Sequence, residues 1–126
     1  MAAALLLGAC ASTPQTAEEQ VSRRAQARMD ALVAKDFKLA YGYFTPAYRD
    51  NLSYDAWLKN RMPRADYVSG QVLQVECASA DVCDVELESV YRSPVGVRVA
   101  PKGEIARAVP QRWVRIDGQW WLYQRK

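Results

Sequence analysis

Any acid–base chemistry in this chain has to run without histidine, because the 126 residues contain none. That removes a Ser-His-Asp or Cys-His nucleophile and any His-ligated zinc site. Asp, Glu, Tyr and Lys are the groups left for proton transfer. Glu88 and Asp66 are the candidate bases, and Tyr41, Tyr43 and Tyr91 the candidate donors to a developing oxyanion, should the fold gather them in one apolar pocket. Each also has a plainer reading. Glu88 falls on the polar side of its strand pattern, and aromatic residues near helix–strand junctions are usually core. No catalytic residue, metal ligand or cofactor is assigned. The six glycines are scattered singly, so there is no glycine-rich phosphate loop.

The elements that must hold these side chains are organised around Arg112 to Gln124. Two apolar-rich runs flank Asp117-Gly118, a dipeptide suited to the positive φ angles of a type I′ turn, which predicts a tight hairpin. Its register pairs Ile116 with Gln119, Arg115 with Trp120, Val114 with Trp121, Trp113 with Leu122 and Arg112 with Tyr123. Both faces carry large apolar groups. One face is expected under helices, and the other, with Val114, Trp121 and Tyr123, is a candidate dimer surface.

Upstream, Val21, Ala25, Arg28, Met29, Leu32 and Val33 recur at helical spacing after a capping Thr16, with Glu18 and Glu19 in the first turn. Asp36 caps a second short helix through Phe37, Ala40, Tyr41 and Phe44, which Thr45-Pro46 breaks. Ser53 caps a third from Tyr54 to Asn60, stopped by Pro63. Strand alternation follows: Leu73, Val75 and Cys77 against Gln74 and Glu76, then Cys83, Val85, Leu87 and Tyr91 against Asp84, Glu86 and Glu88. This register puts Cys77 opposite Cys83 on one face, close enough for a disulfide. Ser93 to Gly103 is an irregular connection with a short strand at Val97 to Val99, and a long strand runs from Glu104 to Ile116 with Pro110 at a bulge or an edge. Helices first and strands afterwards is an α+β order.

Length and composition allow one domain. The net charge of +3 is dispersed, with no basic run beyond Arg23-Arg24, so no nucleic-acid partner is expected. MAAALLLGAC is too short to span a bilayer, which takes about 20 apolar residues. Leu7, Gly8, Ala9 and Cys10 closely resemble the lipobox of bacterial lipoproteins. The resemblance implies a signal peptide over residues 1–9, with Cys10 as a mature N-terminus carrying a diacylglyceryl thioether and an acylated amine. Ala11 resembles the pattern that directs such proteins to the outer membrane, facing the periplasm. Residues 10–16 then form anchor and tether, and residues 17–126 the domain. A disulfide between Cys77 and Cys83 suits that oxidising compartment.

Asp36, Phe37, Ala40 and Tyr41, the Thr45-Pro46-Ala47-Tyr48-Arg49 stretch, and the ending Asp117, Gly118, Trp120 and Trp121 together resemble the NTF2-like superfamily. The resemblance implies three N-terminal helices packed into a cone made by a curved antiparallel sheet of about four strands, with dimerisation through the sheet's outer face. It also implies a possible isomerase, dehydratase or cyclase chemistry using Asp or Glu with Tyr. Three functions follow as expectations. The first is an interaction or dimerisation module at the envelope, with a homodimer or an envelope protein as partner. The second is a binder of a small apolar or weakly anionic ligand, its pocket lined by Tyr41, Phe44, Trp57, Tyr91, Trp113 and Trp120 with Arg92, Arg107 or Arg115 at the rim. The third is an enzyme. A cavity holding a buried carboxylate near tyrosine favours the enzyme, a cavity without one the binder, and a filled interior the scaffold.

Overall fold

The computed structural model describes residues 14–61, 66–92 and 103–125. Cys10, Pro63 and the expected short strand at Val97 to Val99 lie outside them.

Thr16 caps α1 (Ala17–Val33), its hydroxyl accepting the Glu19 N–H at 3.2 Å. The helix stops at Ala34, and Lys35 turns the chain with a φ of 61°. Asp36 then caps α2 (Phe37–Tyr41) by accepting the Leu39 N–H at 3.2 Å. The next element corrects the expected count of three helices. Thr45-Pro46 does not only break the chain: Thr45 is an N-cap and Pro46 the first residue of α3 (Pro46–Asn51). Proline is favoured at that position because its missing N–H has no intrahelical partner to lose. Ser53 caps α4 (Tyr54–Arg61).

Four antiparallel strands follow, β1 (Asp66–Ser79), β2 (Val82–Arg92), β3 (Glu104–Ile116) and β4 (Gln119–Tyr123), in the spatial order of the sequence. Strands take more residues than helices, so the molecule is a sheet with one long helix laid across it rather than a three-helix cone. Asp117 and Gly118 both have positive φ, 51° and 78°, and the hairpin they close has the expected register. Cys77 and Cys83 are register partners joined by a disulfide.

The helix-facing side is built in rows across the strands. Cys77, Cys83, Trp113 and Leu122 form one row. Val75, Val85 and Gln111 form the next, and Val72, Leu87 and Val109 the one after that. Register shifts interrupt β1 between Val72 and Gln74, so Leu73 drops out of the inward set and stands 49% exposed, against the simple alternation.

Each sheet edge is met at one point by a side chain or a loop. At β4, Leu122 donates its N–H to the Tyr43 carbonyl at 2.7 Å and accepts the Thr45 N–H at 3.1 Å. At β1, the Gln26 amide donates to the Gly70 carbonyl and accepts the Val72 N–H, both at 3.0 Å. Such partners satisfy groups that would otherwise invite another strand. Gly70 is needed here. A Cβ at that position would lie 2.3 Å from Met29 Cγ, so glycine lets α1 settle on the strand.

Candidate functional site

One side of α1 carries Gln20, Arg24 and Arg28, spaced a helical turn apart. The first two grip β4: the Trp120 indole N–H donates to Gln20 Oε1 at 3.0 Å, and Arg24 Nε donates to the Trp120 carbonyl at 2.7 Å. Arg28 comes one turn later, toward the part of β3 that five-residue β4 does not flank. It is 8% exposed, Nε donates to the Ala40 carbonyl at 3.2 Å, and the guanidinium carbon lies 4.9 Å above the Phe44 ring.

Beneath that side chain is a cavity of about 540 Å³. Met29 and Leu32 come from α1, Tyr67 from β1, Leu87 and Ser89 from β2, and Val109 to Arg112 from β3, with Leu122 to Arg125 closing the far side. The volume is ordinary for a small-molecule site. Its lining holds three arginines and no Asp or Glu. Burial lowers the pKa of Arg28 to about 10, with Tyr67 and Tyr48 acting the other way, so the group stays charged at neutral pH. Burial raises the pKa of Tyr67, and nearby Arg28 opposes that shift.

None of the six aromatic residues expected to line the pocket lines this cavity. Tyr41, Phe44 and Trp57 pack on one another with centroids 5.6 to 6.1 Å apart, and Trp113 and Trp120 are fully buried. Tyr91 sits edge-on to Tyr67, with centroids 6.5 Å apart. Nor are the acid–base candidates brought together. Asp66 is tied to Arg92 at 3.2 Å and to Lys35 at 3.8 Å. Glu88 shares the outer sheet face with Asp84 and Glu86, opposite to Leu87 and Ser89. The Tyr41 hydroxyl donates to the Leu52 carbonyl at 2.6 Å and lies 3.2 Å from that of Arg49, and burial raises its pKa. The Tyr43 ring lies under Arg24, 4.7 Å from its guanidinium carbon. Of the expected rim arginines, Arg92 and Arg115 are paired with Asp66 and Asp81, and Arg107 is exposed.

On the outer face, Val114 and Trp121 are half-buried partners and Tyr123 is 46% exposed. Arg24 and Arg49 both reach the Trp121 ring, at 5.7 and 5.2 Å from its centroid. No cluster of three or more potential metal-ligating side chains occurs among the described residues.

Sequence reading placed Arg28 on the inward stripe of its helix without giving it a role, and missed Tyr67 and Ser89 as wall residues. The available signal was a lone arginine within an otherwise apolar stripe, since an inward cation needs a reason to be there.

No protein-family model matches the chain, and no curated protein matches it significantly. Solved structures do share the fold. A SEC-C motif containing protein from Rhodopseudomonas palustris is similar at a TM-score of 0.59 and 20% identity, over 79% of this chain and 72% of that one. A second SEC-C motif containing protein, from Psychrobacter arcticus, is similar at a TM-score of 0.61 and 16% identity, over 90% of this chain. The match spans 63% of that longer protein. At these identities the likeness concerns the fold alone. It corrects the NTF2-like resemblance: the shared architecture is that of the SEC-C motif containing proteins, with four helices where the cone called for three. The residues behind that resemblance encode local structure, namely a capped helical turn at Asp36 and a tight hairpin at Asp117-Gly118, and such pieces occur in many folds.

Proposed function

We propose that this domain is a non-catalytic binding module that holds one small ligand in the cavity under α1. The observation that carries the reading is a cavity of about 540 Å³ whose lining includes buried Arg28 and no carboxylate. An enzyme of the kind considered above needs a carboxylate base facing a tyrosine, whereas Glu88 and Asp66 point elsewhere. A scaffold needs no interior space at all.

The setting we propose is the bacterial envelope, with Cys10 as the point of membrane attachment and the outer membrane as the destination. The Cys77–Cys83 disulfide supports export, because such bonds persist in oxidising compartments. No helix among the described residues is long and apolar enough to cross a membrane. Cys10→Ser should move the protein from the membrane fraction to the soluble one, and unchanged membrane association would count against the tether.

The binding reading is tested by following backbone amides in a ¹⁵N-labelled sample during titration with a panel of small amphipathic compounds, 1-octanol among them. Shifts should concentrate at Met29, Leu87, Ser89 and Val109, and Leu87→Trp, which fills the space, should abolish them. A panel that leaves all four amides unmoved overturns the reading.

A second reading, pairing of two copies through the outer face of the last hairpin, draws on Ile116 and Tyr123, which are 42% and 46% exposed beside Val114 and Trp121. An envelope protein partner would use the same face. Trp121→Asp should then reduce the sedimenting mass from two copies to one; a single-copy mass for both proteins removes the pairing.

A further inference from the structure

Arg28 is the only charged side chain in the buried part of α1's inward stripe. A buried cation without a counter-ion is costly, because the guanidinium gives up water for a few dipoles. The four ion pairs among the described residues, Lys35–Asp66, Arg92–Asp66, Arg112–Asp84 and Arg115–Asp81, do not include it. Its Nε is engaged with the Ala40 carbonyl and its face with Phe44, contacts that leave the terminal N–H groups for another acceptor. Ser89, 4% exposed, and half-buried Tyr67 share the cavity wall with it, both able to donate a hydrogen bond.

Resting on the binding reading above, we infer that the ligand is a monoanion on an apolar body, its carboxylate seated at Arg28 with Tyr67 and Ser89 as further donors. The charge count sets the valence. Of the other two arginines in the lining, Arg112 is held by Asp84 at 3.0 Å, and Arg125 is exposed. One uncompensated buried cation matches a single negative charge; a phosphate dianion would need a second. The apolar body follows from Met29, Leu32, Leu87, Val109 and Leu122, which form the apolar stretch of a wall that also holds Gln111 and Gln124.

Octanoate and 1-octanol share a hydrocarbon chain and differ in the charged head, so they isolate the claim. Titrated into the full chain and followed at the amides of Met29, Leu87, Ser89 and Val109, octanoate should bind on the order of ten- to a hundredfold more tightly. Arg28→Met should bring octanoate down to the affinity of octanol, Arg28→Lys should retain part of the preference, and Ser89→Ala should weaken octanoate a few-fold. Equal affinities of the two probes in the unmodified protein overturn the anion while leaving the binding reading intact. So does a preference that survives in folded Arg28→Met. If neither probe moves those amides, both claims fail together. The comparison in the unmodified protein needs no variant, and it decides the matter even if Arg28→Met does not fold.

Discussion

The layer between α1 and the sheet has two ends built on different principles. At the β4 end, Trp113 and Trp120 are buried, Tyr43 meets Trp113 edge-on at 6.2 Å, and the space is filled. At the other end the strand that would complete the row is missing, and Arg28 looks into open volume beside Leu87 and Ser89. Both ends lie under the same helix, and both carry apolar side chains on their walls. What differs is the length of β4: five residues suffice to close one end, while β3 continues for thirteen. A short edge strand thus converts part of a core into a cavity without altering the fold.

The contrast breaks first under truncation of the filled end. Trp113 is fully buried, pairs across the sheet with Cys83 and Leu122, and donates its indole N–H to Gln111 at 3.1 Å. Trp113→Ala should cost roughly 3–5 kcal/mol in urea unfolding. Val109→Ala at the open end, where the side chain already borders free space, should cost less than about 1 kcal/mol. Similar costs at the two positions would mean that the cavity wall is packed as a core.

The disulfide lies in the filled row. It closes a loop with a sequence separation of only 6, so the unfolded-state entropy it removes is modest, about 2 kcal/mol. Replacing both cysteines by serine should lower stability by that amount and leave octanoate affinity unchanged. A large drop in affinity would instead tie the β1–β2 turn to the cavity.

How far the sequence foretold this contrast depends on whether a signal was local. The Asp117-Gly118 turn, its cross-strand partners and the facing cysteines are set by dihedral preference and period-two alternation, and all are read from adjacent residues. Three of the helices announce themselves through Thr16, Asp36 and Ser53. The fourth was hidden because Thr45-Pro46 has two meanings, stop and start, and only packing against β4 selects one. The aromatic residues were recognised as inward, but whether they line a void or fill it depends on where a strand ends relative to a helix far away in sequence. The family resemblance failed for a related cause. A capped turn and a hairpin are short-range objects, and they do not fix how the elements are arranged.

Alkaline pH probes the open end through octanoate affinity. Arg28 has a folded pKa of about 10 against an ordinary 12.5, the shift arising first from burial. In the free protein the burial penalty is therefore full below about pH 10 and shrinks above it, as the folded state gives up a proton that the unfolded chain keeps. Octanoate is ionised throughout, so its affinity should be flat from neutral pH to about pH 9 and fall as pH rises through about 10, approaching tenfold per unit. Tyr67 and Tyr48 are the titratable groups acting on Arg28, and Tyr67 is held protonated longer by its own burial. An affinity flat to about pH 11 would exclude Arg28 as the anchor.

The smallest expected effect is the most discriminating. Arg28→Met removes the hydrogen bond to the Ala40 carbonyl, yet that carbonyl is not orphaned, because it also accepts the Tyr43 N–H at 3.3 Å. Loss of one buried hydrogen bond, about 1 kcal/mol, is set against relief of an unpaired buried charge, which in other buried ionic sites has been neutral or stabilising. Methionine also keeps much of the volume over Phe44. The net change in unfolding free energy should fall within about 1 kcal/mol of zero. A loss of about 3 kcal/mol or more would show that the guanidinium holds α1 to α2, making Arg28 a structural residue and the two ends of the layer alike. A change near zero, accompanied by loss of the octanoate preference, leaves ligand charge as the reason a cation is kept where an apolar residue would fold as well.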